Sequence, residues 1–187
     1  FPSFDDRATN LYGALYYTKS ILDSHEEFVD AVFRTGKLPM PAAEQKETFK
    51  TILAESAGEG CILPVVRSVR AQLCQAVEDH KAAKEPEPLV VDKYALRDML
   101  SFSGVNDEGL EKFEQSFDKS FGTGAEVSPT NIVDTRKFEV RTPDIVIKVA
   151  PDKTDLVETK VIDGVPYILI RADGGAEVNG IDVKFEE

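Results

Sequence analysis

The sequence predicts an α+β fold from three observations: turn signals near its start, helical spacing of apolar residues through its middle, and closely spaced turns after Gly124. A chain of 187 residues is long enough to bury a core without a disulfide or a metal ion. We expect an N-terminal hairpin and three helices, then a helical hairpin, then an antiparallel β meander. A Glu-Pro-Glu-Pro stretch interrupts the helical pattern, so the predicted regions are 1–84, a linker at 85–91, and 92–187.

The first region is predicted to hold a β-hairpin followed by three helices. Residues 11–18 mix β-branched, aromatic and small side chains after a turn signal at Asn10, so we expect a strand that pairs with residues 1–7. Three stretches of helical spacing follow, and the first two are predicted to end at Gly36 and near Gly58. The expected apolar faces of these helices are Phe28, Val29 and Val32; Phe49, Ile52 and Leu53; and Val65, Val66, Val69, Leu73 and Val77.

Residues 92–121 are predicted to form two helices joined by a short turn. Asp92 and Asn106 are suitable N-caps, because their side chains can accept hydrogen bonds from free amides of the first helical turn. Gly104 and Gly122 are placed where helices commonly end. The expected buried residues are Leu96, Met99 and Leu100 on the first helix and Leu110, Phe113 and Phe117 on the second.

Turn signals at short intervals predict antiparallel strands in the last third of the chain. Asp163-Gly164 and Asn179-Gly180 are the strongest of these signals, because a type I′ turn needs positive φ at both central residues. Further turn signals are Thr142-Pro143 and Gly174-Gly175. Strands are expected near residues 138–141, 145–149, 156–162, 165–170 and 181–185. Their apolar runs need cover, which we expect the helices to provide on one face.

Charge and composition narrow the classes of function. The net charge of −12 disfavours binding to a phosphate backbone, because nucleic-acid affinity depends largely on Lys and Arg. No apolar run approaches the length of a membrane span, and no signal peptide opens the chain, so we expect an acidic cytoplasmic protein without a membrane partner. The cysteines Cys61 and Cys74 and the histidines His25 and His80 lack the spacing of a zinc site. With no glycine-rich nucleotide loop either, no cofactor and no metal is predicted.

The opening segment contains the only dense group of chemically useful side chains. Asp5 and Asp6 are candidates for sharing a magnesium ion or dividing acid and base roles, and Arg7 for holding an anion. Tyr16 and Tyr17 are weaker candidates of the same kind. Adjacent strand residues point to opposite faces, so the two carboxylates do not naturally converge, and no catalytic residue is assigned. A metal-assisted hydrolase or phosphoryl-handling enzyme using these residues stays open as an alternative.

A second alternative is nucleic-acid binding through the helical hairpin at 92–121. Two helices joined by a short glycine-containing turn have the geometry of a DNA-reading motif. The second helix carries five acidic residues against two lysines, so its surface repels phosphates. The acidic residues are Asp107, Glu108, Glu111, Glu114 and Asp118. We therefore do not expect nucleic acid as a partner.

Five segments together resemble an uncharacterised bacterial family that is described as a domain of unknown function. They are FDDRATNLYGALYYTK, EPEPL, SGVNDEGLEKFE, NIVDTRKFEVRTPDIVIKV, and LVETKVIDGVPYILI with EVNGI, and the similarity extends over essentially all 187 residues. The resemblance implies a cytoplasmic protein that forms the C-terminal part of a longer family member. It implies no catalytic or binding residues.

These observations favour a non-catalytic module over an enzyme. The acidic composition, the lack of a recognisable catalytic constellation and the apolar strands indicate a cytoplasmic protein-interaction or structural module. Its expected partner is another protein, or an upstream region of the same protein. The substrate of any reaction and the oligomeric state are not determined by the sequence.

Overall fold

The computed structural model describes residues 2–5, 8–14, 25–33, 40–58 and 63–185, with helices in the middle and paired strands towards both ends. The predicted α+β class is confirmed. The described helices are α1 (Glu26–Phe33), α2 (Ala42–Ala57), α3 (Leu63–Ala83), α4 (Lys93–Phe102), α5 (Asp107–Phe121) and α6 (Pro129–Ile132). The described strands are β1 (Pro2–Asp5), β2 (Ala8–Ala14), β3 (Val91–Asp92), β4 (Glu126–Val127), β5 (Phe138–Arg141), β6 (Val146–Val149), β7 (Val157–Ile162), β8 (Val165–Ile170), β9 (Ala176–Val178) and β10 (Ile181–Val183).

One buried apolar cluster is shared by α2, α3, α4, α5 and α6, together with β3 and β4. The faces predicted for α2 and α5 are confirmed in full, and on α3 four of the five predicted residues are buried while Val66 packs at the edge of the cluster. The cluster takes residues from both sides of the 85–91 segment. The division of the chain into two regions at that segment stays a prediction.

The caps of α4 and α5 confirm the predicted helical hairpin. Asp92 Oδ1 accepts a hydrogen bond from the Ala95 amide at 2.8 Å, and Asn106 Oδ1 accepts one from the Gly109 amide at 2.8 Å. Each bond satisfies an amide that lacks an intrahelical acceptor. Gly122 ends α5 with φ of 99°, a conformation that favours glycine.

Three short elements were not predicted from the sequence. Strands β3 and β4 pair antiparallel, with Val91 opposite Val127, and α6 follows directly after them. Val91, Val127 and Ile132 are buried in the same cluster as the long helices. Elements of two to four residues are too short to show a period, so only their packing reveals them.

The N-terminal hairpin is confirmed, but its turn was misplaced. Asp5 pairs with Ala8, and Asn10 lies inside β2 opposite Ser3. The expectation of a turn at Asn10 is therefore wrong, because the strand starts earlier than its apolar residues suggest. Of the apolar face predicted for α1, only Val29 is buried, while Phe28 and Val32 are exposed.

The C-terminal strands form three separate antiparallel hairpins: β5 with β6, β7 with β8, and β9 with β10. The type I′ turns are confirmed by positive φ at Asp163 and Gly164 (50° and 79°) and at Asn179 and Gly180 (52° and 83°). Among the described residues, no hydrogen bonds join one hairpin to the next into a continuous sheet. The helices also cover less of these strands than expected. Of the apolar residues in the six strands, only Phe138 and Val157 are buried.

Candidate functional site

The candidate catalytic residues of the opening segment fall mostly outside the described part of the chain. The backbone of Asp5 ends β1, opposite Ala8. Asp6, Arg7, Tyr16 and Tyr17 lie outside the described residues. Whether these side chains converge is therefore undecided, and the enzyme alternative that uses them stays a prediction.

His80 and Cys74 are each partly covered by the surrounding fold. His80 is partly buried, and its Nε2 lies 2.7 Å from the Glu87 carbonyl oxygen, which connects the segment after α3 to that helix. Cys74 is half-buried, and this burial raises the pKa of its thiol. His25 is exposed, and Cys61 lies outside the described residues. Within the described ranges, no group of three or more His, Cys, Asp or Glu side chains is arranged to hold a metal ion.

A cleft of about 420 Å³ lies between α2 and α5. It is lined by Thr48, Thr51, Ser116 and Ser120, together with Glu47, Ile52, Glu55 and Lys119. Lys50 donates a hydrogen bond to Glu47 at 2.7 Å, which lowers the pKa of that carboxyl. The lining residues include neither a histidine nor a cysteine, and the Thr51 hydroxyl donates to the Glu47 backbone carbonyl at 3.1 Å instead of to a side-chain base.

The basic residues of α4 are neutralised by acidic residues of α5. Lys93 Nζ lies 2.6 Å from Asp118 Oδ2, and Arg97 forms an ion pair with Glu114. The hydrogen bond to Asp118 raises the pKa of Lys93. These two cations are occupied within the helical hairpin instead of being presented to a phosphate backbone. The hairpin geometry therefore adds no support to the nucleic-acid alternative.

Two arginines of α3 connect this helix to the C-terminal segments, and sequence reasoning missed both. Arg70 donates from Nε to the Asp134 carbonyl at 3.2 Å and from Nη2 to the Thr135 and Lys137 carbonyls, each at 3.4 Å. Its guanidinium also lies over the Phe138 ring, 5.7 Å from the ring centroid.

Arg67, one helical turn earlier, reaches the start of the β7–β8 hairpin. Its Nη1 donates to the Thr154 carbonyl at 3.3 Å and the Val157 carbonyl at 3.4 Å. The only sequence signal was two arginines three residues apart on the same helix. Their acceptors are backbone carbonyls far along the chain, so no local pattern identifies them.

The β7–β8 hairpin exposes apolar side chains on both of its faces. Residues directly opposite each other share a face, so the pairing defines two sets. The Thr159 face consists of Val157, Thr159, Val161, Pro166, Ile168 and Ile170. The Tyr167 face consists of Glu158, Lys160, Ile162, Val165, Tyr167 and Leu169.

Burial is uneven along this hairpin. Val157 is buried near α3, whereas Val161 and Ile170 on the same face are 67% and 57% exposed. Four apolar residues of the Tyr167 face are exposed as well: Ile162, Val165, Tyr167 and Leu169. Contiguous exposed apolar surface of this kind marks interaction sites more often than scattered single residues do. Among the described residues, the β7–β8 hairpin therefore exposes a large group of apolar side chains, and its turn was predicted correctly from the sequence.

Comparison with known proteins identifies a family. No curated protein and no solved structure matches the chain. Among the described residues, no helix is long and apolar enough to cross a membrane. A family model matches residues 1–181, nearly the whole chain. The chain therefore belongs to the family described as Domain of unknown function (DUF4317).

Proposed function

We propose that this chain is a non-catalytic protein-interaction module and that the β7–β8 hairpin carries its binding surface. The observation that supports this proposal is the exposed apolar residues on both faces of the hairpin, with Val161 67% exposed. An isolated two-stranded hairpin is only marginally stable in water, and a partner that adds strands to it or covers an apolar face stabilises it.

The proposed setting is the cytoplasm of a bacterium, where the chain acts as part of a longer protein. The acidic composition supports a protein that stays soluble at high concentration. The resemblance of the sequence motifs to a bacterial family supports the bacterial origin. The expected partner is a protein, and the negative net charge disfavours nucleic acid.

Photo-crosslinking in cells that express the full protein tests this function. A photoreactive phenylalanine analogue replaces Val161, and the matched control carries it at Lys112, an exposed residue of α5. We expect a discrete protein adduct from position 161 that is missing at position 112 and is weakened by Ile170→Ser on the same face. Identical diffuse labelling from both positions would contradict the proposal.

A further inference from the structure

The β7–β8 hairpin has two unpaired strand edges among the described residues, and their backbone groups can be assigned from the pairing. The two-residue turn makes Ile162 and Val165 a hydrogen-bonded pair, and the Arg171 amide donates to the Leu156 carbonyl at 2.8 Å. Hydrogen-bonded pairs alternate with non-bonded pairs along an antiparallel ladder. The backbone groups of Val157, Thr159 and Val161 therefore point to the free edge of β7.

The two edges differ in their capacity to accept another strand. On β8 the outward-pointing residues include Pro166, which has no amide hydrogen and so leaves a gap in any added ladder. On β7, Thr159 and Val161 each present an amide and a carbonyl. Arg67 occupies one lone pair of the Val157 carbonyl, and a carbonyl oxygen has a second. The β7 edge is therefore the more complete template for strand addition.

The charged side chains of β7 indicate which kind of strand can pair with its free edge. Glu158 and Lys160 lie on the Tyr167 face, on either side of Thr159. Neither forms an ion pair with any other described residue. A strand that places a cation opposite Glu158 and an anion opposite Lys160 complements both charges. Antiparallel β7 itself has this pattern when Thr159 is the centre.

We propose that the β7 edge pairs antiparallel with the β7 edge of a second copy of this chain, about a two-fold axis at Thr159. Glu158 then lies opposite the partner's Lys160, and Lys160 lies opposite the partner's Glu158. Centring the pair on Lys160 instead places two lysines opposite each other. Centring it on Val161 leaves Lys160 opposite the partner's Ile162, so only the Thr159 register pairs both charges.

This pairing deepens the proposed function, on which it rests, by naming the partner. The two hairpins become one four-stranded sheet whose Thr159 faces form a continuous apolar surface. Sheets of three or more strands with an apolar face are stable where a single hairpin is marginal. The two-fold symmetry closes the assembly at a dimer, because each chain contributes its β7 edge once.

Charge reversal tests the register on the full chain by analytical ultracentrifugation. We expect the unmodified protein to sediment as a dimer, at twice the 20.6 kDa of one chain. Glu158→Lys and Lys160→Glu should each raise the dimer dissociation constant by about tenfold or more, because two like-charge contacts replace two attractive ones. An equimolar mixture of the two variants should dimerise again, as should the double variant. Glu177→Lys, a reversal on β9, is the matched control and should leave the dimer unchanged.

Cysteine cross-linking gives an independent measure of the same register, with Cys61 and Cys74 replaced by serine. Directly paired Cα atoms in a bonded antiparallel pair lie about 5.5 Å apart, within the range of a disulfide. Thr159→Cys should therefore form a disulfide dimer on oxidation. Val161→Cys should not, because the two copies of that residue are about 14 Å apart in this register.

Three results would overturn the proposal: a chain that is monomeric at every concentration, single reversals that dimerise normally, or a mixture of reversals that stays monomeric. Disulfide formation by Val161→Cys but not by Thr159→Cys would also overturn it. Failure of self-pairing is distinguishable from failure of the proposed function. If only self-pairing fails, the photo-crosslink at position 161 contains a different protein. If the proposed function fails, that crosslink contains no discrete protein.

Discussion

At Gly109 the first turn of α5 touches the backbone of α2. A Cβ at this position would overlap the Ser56 carbonyl oxygen and lie 2.7 Å from Val105 Cγ1. Because the obstruction is backbone, one of the two helices must shift to admit a methyl group. We expect Gly109→Ala to lower the free energy of unfolding by about 1 to 3 kcal/mol, the usual cost of overpacking a core.

Urea denaturation measures this effect directly. Lys112→Ala, one turn further along α5 and exposed, is the matched control and should stay within about 0.5 kcal/mol of the unmodified protein. A Gly109→Ala midpoint equal to that of the control would show that α5 approaches α2 less closely than described.

The Lys93–Asp118 ion pair makes stability depend on pH in the alkaline range. The hydrogen bond to Asp118 raises the pKa of Lys93 above its value in the unfolded chain. Its contribution is therefore fully present below the ordinary lysine pKa of about 10.4, and it is lost as the pH rises through the raised value. We expect Lys93→Met to be less stable than the unmodified protein at neutral pH, with the difference closing in strong alkali.

Urea midpoints of both proteins between neutral and alkaline pH test this sign. Lys112→Met controls for the general loss of a lysine on the helical hairpin and should show a small difference that does not change with pH. A difference in urea midpoint between Lys93→Met and the unmodified protein that grows with rising pH would contradict the raised pKa of Lys93.

At the scale of elements, Arg70 joins α3 to the segment that leads into β5. It donates hydrogen bonds to the carbonyls of Asp134, Thr135 and Lys137. We expect Arg70→Ala to lower the free energy of unfolding by about 1 to 2 kcal/mol, because bonds from a charged donor are lost at a partly exposed site. Hydrogen exchange should accelerate locally at residues 134–138.

The matched control for this change is Arg136→Ala, an exposed arginine in the same segment. It should alter neither stability nor exchange appreciably. Arg70→Lys should recover only part of the loss, because an ammonium group lacks the planar arrangement of donors that reaches several carbonyls together. Full recovery by lysine would indicate that charge alone holds the segment.

Helix caps and turns that depend on neighbouring residues were predicted correctly, whereas elements that depend on distant strand pairing were not. Asp92 and Asn106 act as caps, and Asp163-Gly164 and Asn179-Gly180 form turns, because each depends on neighbouring backbone groups. The turn predicted at Asn10 was wrong, since strand pairing overrode a weak local signal. Strands β3 and β4 stayed unpredicted because each pairs with a segment about 35 residues away.

At the scale of the whole molecule, the shared core predicts that the two halves depend on each other. Phe49 on α2 and Phe113 on α5 belong to one buried cluster, on opposite sides of the 85–91 segment. Expressed alone, residues 1–84 and residues 92–187 should each expose the apolar surface that the other covers. We expect neither fragment to give a dispersed amide NMR spectrum, while the full chain does.

Co-expression of the two fragments is the control for this experiment. If the core is shared, the fragments should associate and recover the dispersion of the full chain. A single fragment that unfolds cooperatively by itself would show instead that the predicted boundary at 85–91 separates independent domains.

The sequence by itself determined the N-caps of α4 and α5, most core-facing residues of α2 to α5 and the turns of the last hairpins. Caps, helical spacing and positive-φ turn residues act over a few positions, so the sequence shows them directly. Only the tertiary structure decided that Arg67 and Arg70 hold the C-terminal segments, that α5 needs glycine at 109, and that the β7–β8 hairpin stays largely uncovered. These features depend on contacts between residues far apart in the chain, which no local pattern encodes.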